Sequence, residues 1–485
     1  MAIHDLRQGR ASAVDCDVCI IGSGPAGLSL ALALTDTPLS VCVLESGGLE
    51  REAAYQELNE GTRSGLSDTL VGSRPRLLGG ASLVWTGFCA PLDREDLEPI
   101  DGLPLGGWPI GYDELLPHYR AACRLLGMAP DFFTQGHFSD DELLTFTDGT
   151  LDTKVFKESP VWLGGRYYDR LRLSENVDVW LHATATALSR QGRRLDGVSA
   201  VDLSGNRLQV SARHVVLAAG GIENARLLLN WSEQDPALLA GDVLANVGAF
   251  FAVHPHLFFG ACLFTREAAR LPLYQPARGE DGAVGHAFLQ LSRAERRRRR
   301  LFKVIFKQVR PAPPAESREY DAELLGAWQG EEQVMFDDLH LQSEMPLSRD
   351  SRIALGEVRD AIGLRQVSVS LHVEPELYRT WRESLQTYVQ ALGSHHYGRV
   401  KFRAGDFDDV EAGRRDVWGG HHFMCATRMA ATPEAGVVDP TLKVFGTDNL
   451  YVAGASTFAT TGAVNPTLTI MALSMRLADH LAAQM

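Results

Sequence analysis

Cys16-Asp17-Val18-Cys19-Ile20-Ile21-Gly22-Ser23-Gly24-Pro25-Ala26-Gly27 is the stretch on which the fold of this chain turns. Cys16 to Ile21 is a short apolar run rich in valine and isoleucine, the pattern of a buried parallel strand. The glycines follow at once, and Leu28 to Leu34 reads as a helix of small and apolar residues. Val41-Cys42-Val43-Leu44-Glu45 is the next strand, and it ends in an acid about 20 residues past the glycines. Strand, glycine turn, helix and acid together make a dinucleotide-binding βαβ unit. Gly22 permits the tight turn, Gly24 lets the backbone approach a pyrophosphate, and Gly27 allows close helix-to-strand packing. The free N–H groups of the helix start face the negative charge. Glu45 can accept hydrogen bonds from ribose hydroxyls, and its charge disfavours a 2′-phosphate. Such a fingerprint serves NAD and FAD alike.

The same design recurs downstream. Val177 to Leu188 and Arg207 to Ala218 read as strands around a turn at Ser204-Gly205-Asn206. Val215 to Ala218 leads into Ala219-Gly220-Gly221 and a helix from Ile222 to Leu229. Leu450-Tyr451-Val452-Ala453-Gly454 repeats the strand and glycine, and Thr467 to Met485 is a final amphipathic helix. The expectation is an α/β, Rossmann-like nucleotide-binding domain built from residues 1–90, 176–256 and 420–485. Residues 91–175 would then form a substrate-side, cofactor-covering segment. Residues 257–419 differ in texture: strand-length pieces at His286 to Leu291, Leu301 to Arg310, Asp338 to Glu344, Val367 to Val373 and Arg399 to Phe402, with one long helix over Pro375 to Leu392. Pro311, Pro313 and Pro314 interrupt them. That is the look of an α+β substrate domain, an antiparallel sheet with helices.

Composition narrows the function class. Hydrophobic residues make up 45% and charged residues 22%, ordinary for a globular protein. The formal net charge of −14 argues against nucleic acid or an anionic membrane as the main partner. The run Arg296 to Arg300 lacks interleaved aromatics for base stacking and reads as a solvated turn or helix face. No apolar stretch approaches the ~18 residues that span a bilayer, and the start of the chain lacks a signal-sequence pattern. Seven cysteines without framework spacing suit a reducing compartment, so a cytoplasmic location is expected. Cys16 and Cys19 would face opposite sides of a strand, which makes a shared metal or local disulfide unsuited. Metal-ligand spacing of histidines and acids is not found, and no metal is expected.

Several further motifs carry a family resemblance. These are Arg76-Leu77-Leu78-Gly79-Gly80-Ala81-Ser82-Leu83-Val84-Trp85-Thr86, the second glycine turn through Glu223, Val247-Gly248 with His254-Pro255, the run His421-His422-Phe423-Met424-Cys425-Ala426-Thr427-Arg428-Met429, and Asn465-Pro466-Thr467. In this order the chain resembles the glucose–methanol–choline (GMC) flavoprotein oxidoreductases, nearest to their pyranose-oxidase-like branch. The resemblance covers the cofactor domain from end to end; the middle region matches in general texture only. It implies bound FAD and oxidation of an alcohol, with hydride passing to flavin N5 while a histidine removes the hydroxyl proton. Aligning Arg428-Met429 on the family motif places His422 on the catalytic histidine and Asn465 on its polar partner. His421 is the rival base. An imidazole accepts a proton near neutrality, and the Asn465 amide can hydrogen-bond the substrate oxygen.

The resemblance also implies cofactor contacts at Gly80, Ser82, Thr86, Ala185, Ala219, Gly454, Ala455 and Thr467, besides Gly22, Gly24, Gly27 and Glu45. Val84 stands where some relatives join a histidine covalently to flavin, so non-covalent FAD is expected. The chain departs from the family at Cys425 and Ala426, which replace Gly-Thr, and at Ala430. His254 and His256 read as satisfied structural histidines. The expected substrate is a small-molecule alcohol, such as a sugar, glycoside or cyclitol, with oxygen or a quinone-like molecule as electron acceptor. A lyase on the same fold and a catalytically degraded flavin-binding protein are the alternatives, and a nicotinamide dehydrogenase is the remaining one.

Overall fold

Ala13–Ile21 lies inside an eight-stranded mixed sheet in the computed structural model, which describes residues 2–9, 12–99, 107–130, 143–265, 268, 271, 277–278, 284–308, 333–402 and 406–484. The spatial order is Ile3–Asp5, Val177–Leu181, Val41–Leu44, Ala13–Ile21, Arg207–Leu217, Arg194–Val201 and Thr184–Gln191. Arg207–Leu217 divides its edge between two partners. Its first half pairs antiparallel with Arg194–Val201, and its last three residues pair parallel with Leu450–Val452. The three separated pieces of chain therefore meet on one strand.

The helix Pro25–Leu34 is buried around most of its circumference, as a helix between a sheet and further helices must be. Pro25 opens it with a preset φ, and Gly24 is its N-cap. The C-terminal helix Thr467–Ala482 packs against both Pro25–Leu34 and Tyr112–Leu125.

A second sheet is antiparallel throughout: Gly398–Phe402, His256–Thr265, Gln333–Ser343, Val304–Gln308, Val284–Leu291, Leu151–Glu158 and Phe88–Cys89, with Ala277–Arg278 beside Val284–Leu291. The cofactor-type α/β sheet and the antiparallel sheet are the two layers that the sequence pattern implies. No helix among the described residues is long and apolar enough to cross a membrane.

Several details differ from the sequence reading. Val177 to Leu188 is not one strand: His182 sits at φ 56°, in the left-handed region, and turns the chain between Val177–Leu181 and Thr184–Gln191. Arg194–Val201, His256–Thr265 and Leu151–Glu158 are strands the pattern did not single out. The strand expected at Val367 to Val373 is Arg365–Ser370, and it leaves the large sheet. It pairs with Arg352–Arg359 and, in parallel, with Gly61–Ser64. The helix from Pro375 runs to Ser394. Arg293–Arg299 is a short helix with no buried residue, its guanidinium groups paired with Glu95, Glu98 and Glu295. Cys16 and Cys19 both lie in Ala13–Ile21 as free thiols. Pro311, Pro313 and Pro314 lie outside the described residues.

Candidate active site

The carboxyl ends of Ala13–Ile21, Val41–Leu44 and Arg207–Leu217 open onto a cavity of about 640 Å³, within the range of small-molecule and cofactor sites. Its far wall comes from the antiparallel sheet, through His256, Phe258, Lys307, His340 and Gln342. The cavity thus lies between the two layers.

At the nucleotide end, local geometry explains each glycine differently. A Cβ on Gly27 would stand 1.9 Å from the Gly22 carbonyl oxygen, so this position serves packing and does not face the cavity. A Cβ on Gly24 would meet nothing within 4 Å, which leaves open room for a ligand above the helix start. The Gly79-Gly80 loop lies on this turn: Gly79 N–H donates to the Ser23 carbonyl at 3.0 Å, and a Cβ on Gly80 would be 2.9 Å from Gly24 Cα. Glu45 is buried and accepts from Ser23 N–H at 3.0 Å, Ser23 Oγ at 2.5 Å and Gly47 N–H at 2.9 Å. Burial raises its pKa, and the hydrogen bonds from Gly47 and Ser23 oppose that rise. Ser23, unremarkable in the sequence as the second residue of the glycine motif, is what orients Glu45.

Gly22, Gly24, Glu45, Gly80, Ser82 and Thr86 line the cavity. So do Ala185, Ala219, Gly454, Ala455 and Thr467, which leaves Gly27 as the cofactor-site residue outside it. Two of them have their polar groups committed elsewhere. Ser82 Oγ donates to the Gly79 carbonyl at 2.6 Å and accepts from Leu163 N–H at 3.2 Å, while Ala219 N–H donates to Asn224 Oδ1 at 2.8 Å. Asn224 in turn donates to the Ala453 carbonyl at 3.0 Å and to Ser456 Oγ at 3.0 Å, stitching the second glycine turn to the C-terminal strand. Arg74, Arg76 and Glu223 also line the cavity. Burial pushes the Glu223 carboxyl up, but Arg226, Arg76 and Arg74 outweigh it and hold it down at about 2.

These features fit a flavin dinucleotide. The open cradle over Gly24, the buried carboxylate of Glu45 and the sixteen-residue helix beginning at Thr467 offer respectively close approach, hydroxyl acceptors and free N–H groups for negative charge.

At the other end, His422 and Asn465 face one another, with Asn465 Nδ2 3.4 Å from His422 Nε2. His422 Nδ1 lies 2.9 Å from His254 Nδ1, and His254 Nε2 lies 3.1 Å from the Thr461 carbonyl oxygen. A carbonyl only accepts, so His254 carries its proton on Nε2 and accepts at Nδ1. His422 must then donate from Nδ1, which leaves a lone pair on Nε2. The other end of the chain agrees. Lys307 Nζ, a donor only in its ammonium form, is 3.1 Å from Asn465 Oδ1, an arrangement in which the amide turns its oxygen to the lysine and its N–H toward His422. Gln342 supports the same orientation, donating to the Ala463 carbonyl at 2.9 Å and to Asn465 Oδ1 at 3.4 Å. Burial, then His254 and Lys307, hold His422 well below the ordinary imidazole range. Burial pushes His254 down to about 4. Burial thus favours the neutral form of both rings.

His421 is differently placed. Its Nδ1 pairs with the Asp68 carboxylate at 2.8 Å, and the same carboxylate caps the loop through His421 N–H at 2.6 Å and Gly419 N–H at 2.5 Å. Of the two histidines read as satisfied, His254 is bonded at both nitrogens, whereas His256 is packed between His340 and Trp418 with neither ring nitrogen hydrogen-bonded among the described residues. Cys425 occupies the left-handed region at φ 68°, its N–H donating to the Ala455 carbonyl at 3.0 Å. That is a conformation a glycine adopts freely and a cysteine only at a cost. Arg428 is structural, donating to the carbonyls of Ala459 and Ala435 at 2.9 Å each.

Residues 346–474 match the family model described as GMC oxidoreductase, and residues 17–55 match one described as FAD binding domain. The chain is similar to a 2-methyl-1,2-propanediol dehydrogenase of Mycolicibacterium austroafricanum, at 23% identity over 97% of this chain and 96% of the relative. It is similar also to a C-glycoside 3-oxidase of Microbacterium trichothecenolyticum, at 22% identity over 96% of both. In fold it resembles a formate oxidase of Aspergillus oryzae, with a TM-score of 0.61 at 16% identity, over 98% of this chain and 99% of the other.

Proposed function

From the premise that the chain belongs to the GMC oxidoreductase family and is an FAD-dependent oxidoreductase, we propose that it oxidises a CH–OH group of a polyhydroxylated small molecule to a carbonyl. A sugar, glycoside or cyclitol is the substrate class, in keeping with the glycoside and diol named in the relatives above. The observation that carries this reading is the lone pair left on His422 Nε2 by the hydrogen-bond chain from the Thr461 carbonyl.

FAD, when bound, supplies a hydride acceptor at flavin N5. His422 Nε2 takes the hydroxyl proton, and the Asn465 amide N–H holds the substrate oxygen as negative charge develops on it. His254 keeps the ring in the tautomer that can accept, and it stabilises the imidazolium through Nδ1 once the proton has arrived. The glycine turn, Glu45 and the start of Thr467–Ala482 hold the dinucleotide. With no nucleophile at Val84, attachment of FAD is non-covalent in this reading. Seven free thiols are in keeping with a cytoplasmic location.

Anaerobic mixing of the FAD-loaded protein with a panel of sugars, glycosides and cyclitols tests the proposal. Loss of absorbance near 450 nm with at least one of them is the expected result. A protein that dithionite bleaches but no member of the panel does would contradict it.

A further inference from the structure

Lys307 sits in the wall of the cavity on Val304–Gln308 and is buried. Its ammonium donates to two neutral oxygens, Gln342 Oε1 at 2.5 Å and Asn465 Oδ1 at 3.1 Å. Three phenyl rings also face it. The rings of Phe88, Phe156 and Phe288 have their centroids 5.5, 4.9 and 5.5 Å from Nζ. Among the described residues no carboxylate pairs with it, and burial alone pushes its pKa down to about 7. Lys303, four residues earlier and also buried, is the contrast. It bonds Asp93 at 2.8 Å and Asp96 at 2.5 Å, and those acids hold its pKa up despite burial. An isolated buried ammonium is costly to maintain. Phenyl faces offset part of that cost, and an anion arriving in the cavity would offset more.

We propose that Lys307 is the counter-charge of the active site: a positioning residue that locks Asn465 with its N–H toward His422 Nε2 and the substrate oxygen, and an amine whose protonated form is favoured by the negative charge that the reaction brings into the cavity. This rests on the reading of His422 and Asn465 as the reacting pair. As the hydroxyl proton passes to His422, the oxygen left on the substrate gains negative charge within reach of Asn465. The amide transmits the field of the ammonium behind it, because its oxygen is polarised by Lys307 and its N–H becomes a better donor. A pre-oriented donor with a cation behind it needs no reorganisation as that charge appears.

The test uses the FAD-loaded full chain with Lys307→Met, Lys307→Arg and Gln342→Glu, the last placing a carboxylate against the ammonium. Two readouts are taken: the rate of anaerobic flavin bleaching by D-glucose, phenyl glucoside and myo-inositol, and the affinity for sulfite. Sulfite adds its sulfur lone pair to flavin N5 and leaves negative charge on the ring, so it reports the local cation without needing a substrate. For Lys307→Met we expect FAD retained, bleaching slowed on the order of 10²-fold with little change in the half-saturating alcohol concentration, and sulfite binding weakened at least tenfold. Lys307→Arg should recover a good part of both. Should Lys307→Met fail to fold, Gln342→Glu carries the test, since it should show both losses with the lysine in place. Whichever of Lys307→Met and Gln342→Glu folds, values within threefold of the parent in either readout overturn the proposal. His422→Ala separates the two levels. If His422→Ala abolishes bleaching while Lys307→Met does not, only this inference fails; if His422→Ala bleaches normally, the reading beneath it fails.

Discussion

His254 Nδ1 and His422 Nδ1 lie 2.9 Å apart, and one arrangement of protons satisfies both rings. The Thr461 carbonyl fixes the proton of His254 on the far nitrogen, so the near nitrogen accepts from His422. A backbone oxygen thereby decides which nitrogen of His422 is basic. His254→Phe removes the acceptor, leaves a buried N–H without a partner and frees the other tautomer. We expect FAD content unchanged and kcat lowered on the order of 10²-fold, with partial recovery in His254→Gln. Steady-state kinetics on flavin-matched samples measure this, and an unchanged kcat would remove the tautomer argument.

Gly24 and Gly27 should separate cofactor affinity from stability. A methyl group on Gly24 meets no protein atom within 4 Å, whereas one on Gly27 would lie 1.9 Å from the Gly22 oxygen. Gly24→Ala should therefore fold with nearly the parent Tm when stripped of FAD, yet bind FAD at least tenfold more weakly. Gly27→Ala should lose several degrees of Tm even without cofactor, because strand and helix must move apart. Thermal melts and flavin fluorescence titrations read the two effects separately.

The nucleotide half of this site was legible from sequence because its geometry is local. Cys16 to Gly27 and Val41 to Glu45 form strand, turn and strand within a few residues of where the pattern places them. His422 and Asn465 were found through motif spacing, and the fold does bring them together at one end of the cavity. What escaped are partners joined across the chain. His254 meets His422 from 168 residues away, and Lys307 meets Asn465 from 158. Lys303 and Lys307 flank the apolar run Val304-Ile305-Phe306 alike, so the sequence does not single out Lys307, and only tertiary packing reveals the phenyl rings around it. The break of the strand at His182 had only a weak signal, since histidine enters the left-handed region more readily than most side chains but far less readily than glycine.

Flavin attachment offers a simple check. Val84 supplies no nucleophile for a covalent link to flavin. Acid precipitation of the FAD-loaded protein should release the FAD completely into the supernatant. Yellow colour retained in the washed pellet would show a covalent link.

Lys307 should leave a mark on stability as well as on catalysis. Its folded pKa of about 7 lies below the ordinary 10.5, so below pH 7 both states are protonated and the folded state bears the full cost of the buried charge. Between pH 7 and 10.5 only the unfolded chain holds the proton, and the cost declines by at most about 1.4 kcal/mol per pH unit. The groups facing Lys307 are His254, His256 and His422, His340 across the strand pair, and His286 with its partner Glu158. Burial lowers the pKa of His254, His256, His286 and His422, which moves their own titration away from this range. Lys307→Met should therefore raise Tm most at pH 6 to 7 and progressively less toward pH 10. A gain in Tm that is constant with pH would show that the ammonium is not the source.

The base assigned to His422 is tested most directly by the reductive half-reaction of the FAD-loaded protein. Anaerobic stopped-flow bleaching is followed with an alcohol that reduces the parent, and with the same alcohol carrying deuterium on the reacting carbon. The parent should bleach with a clear deuterium effect. His422→Ala should retain FAD, bleach 10²- to 10⁴-fold more slowly, and speed up as pH rises and hydroxide replaces the missing base. A His422→Ala protein that holds its flavin and bleaches at the parent rate would contradict the account.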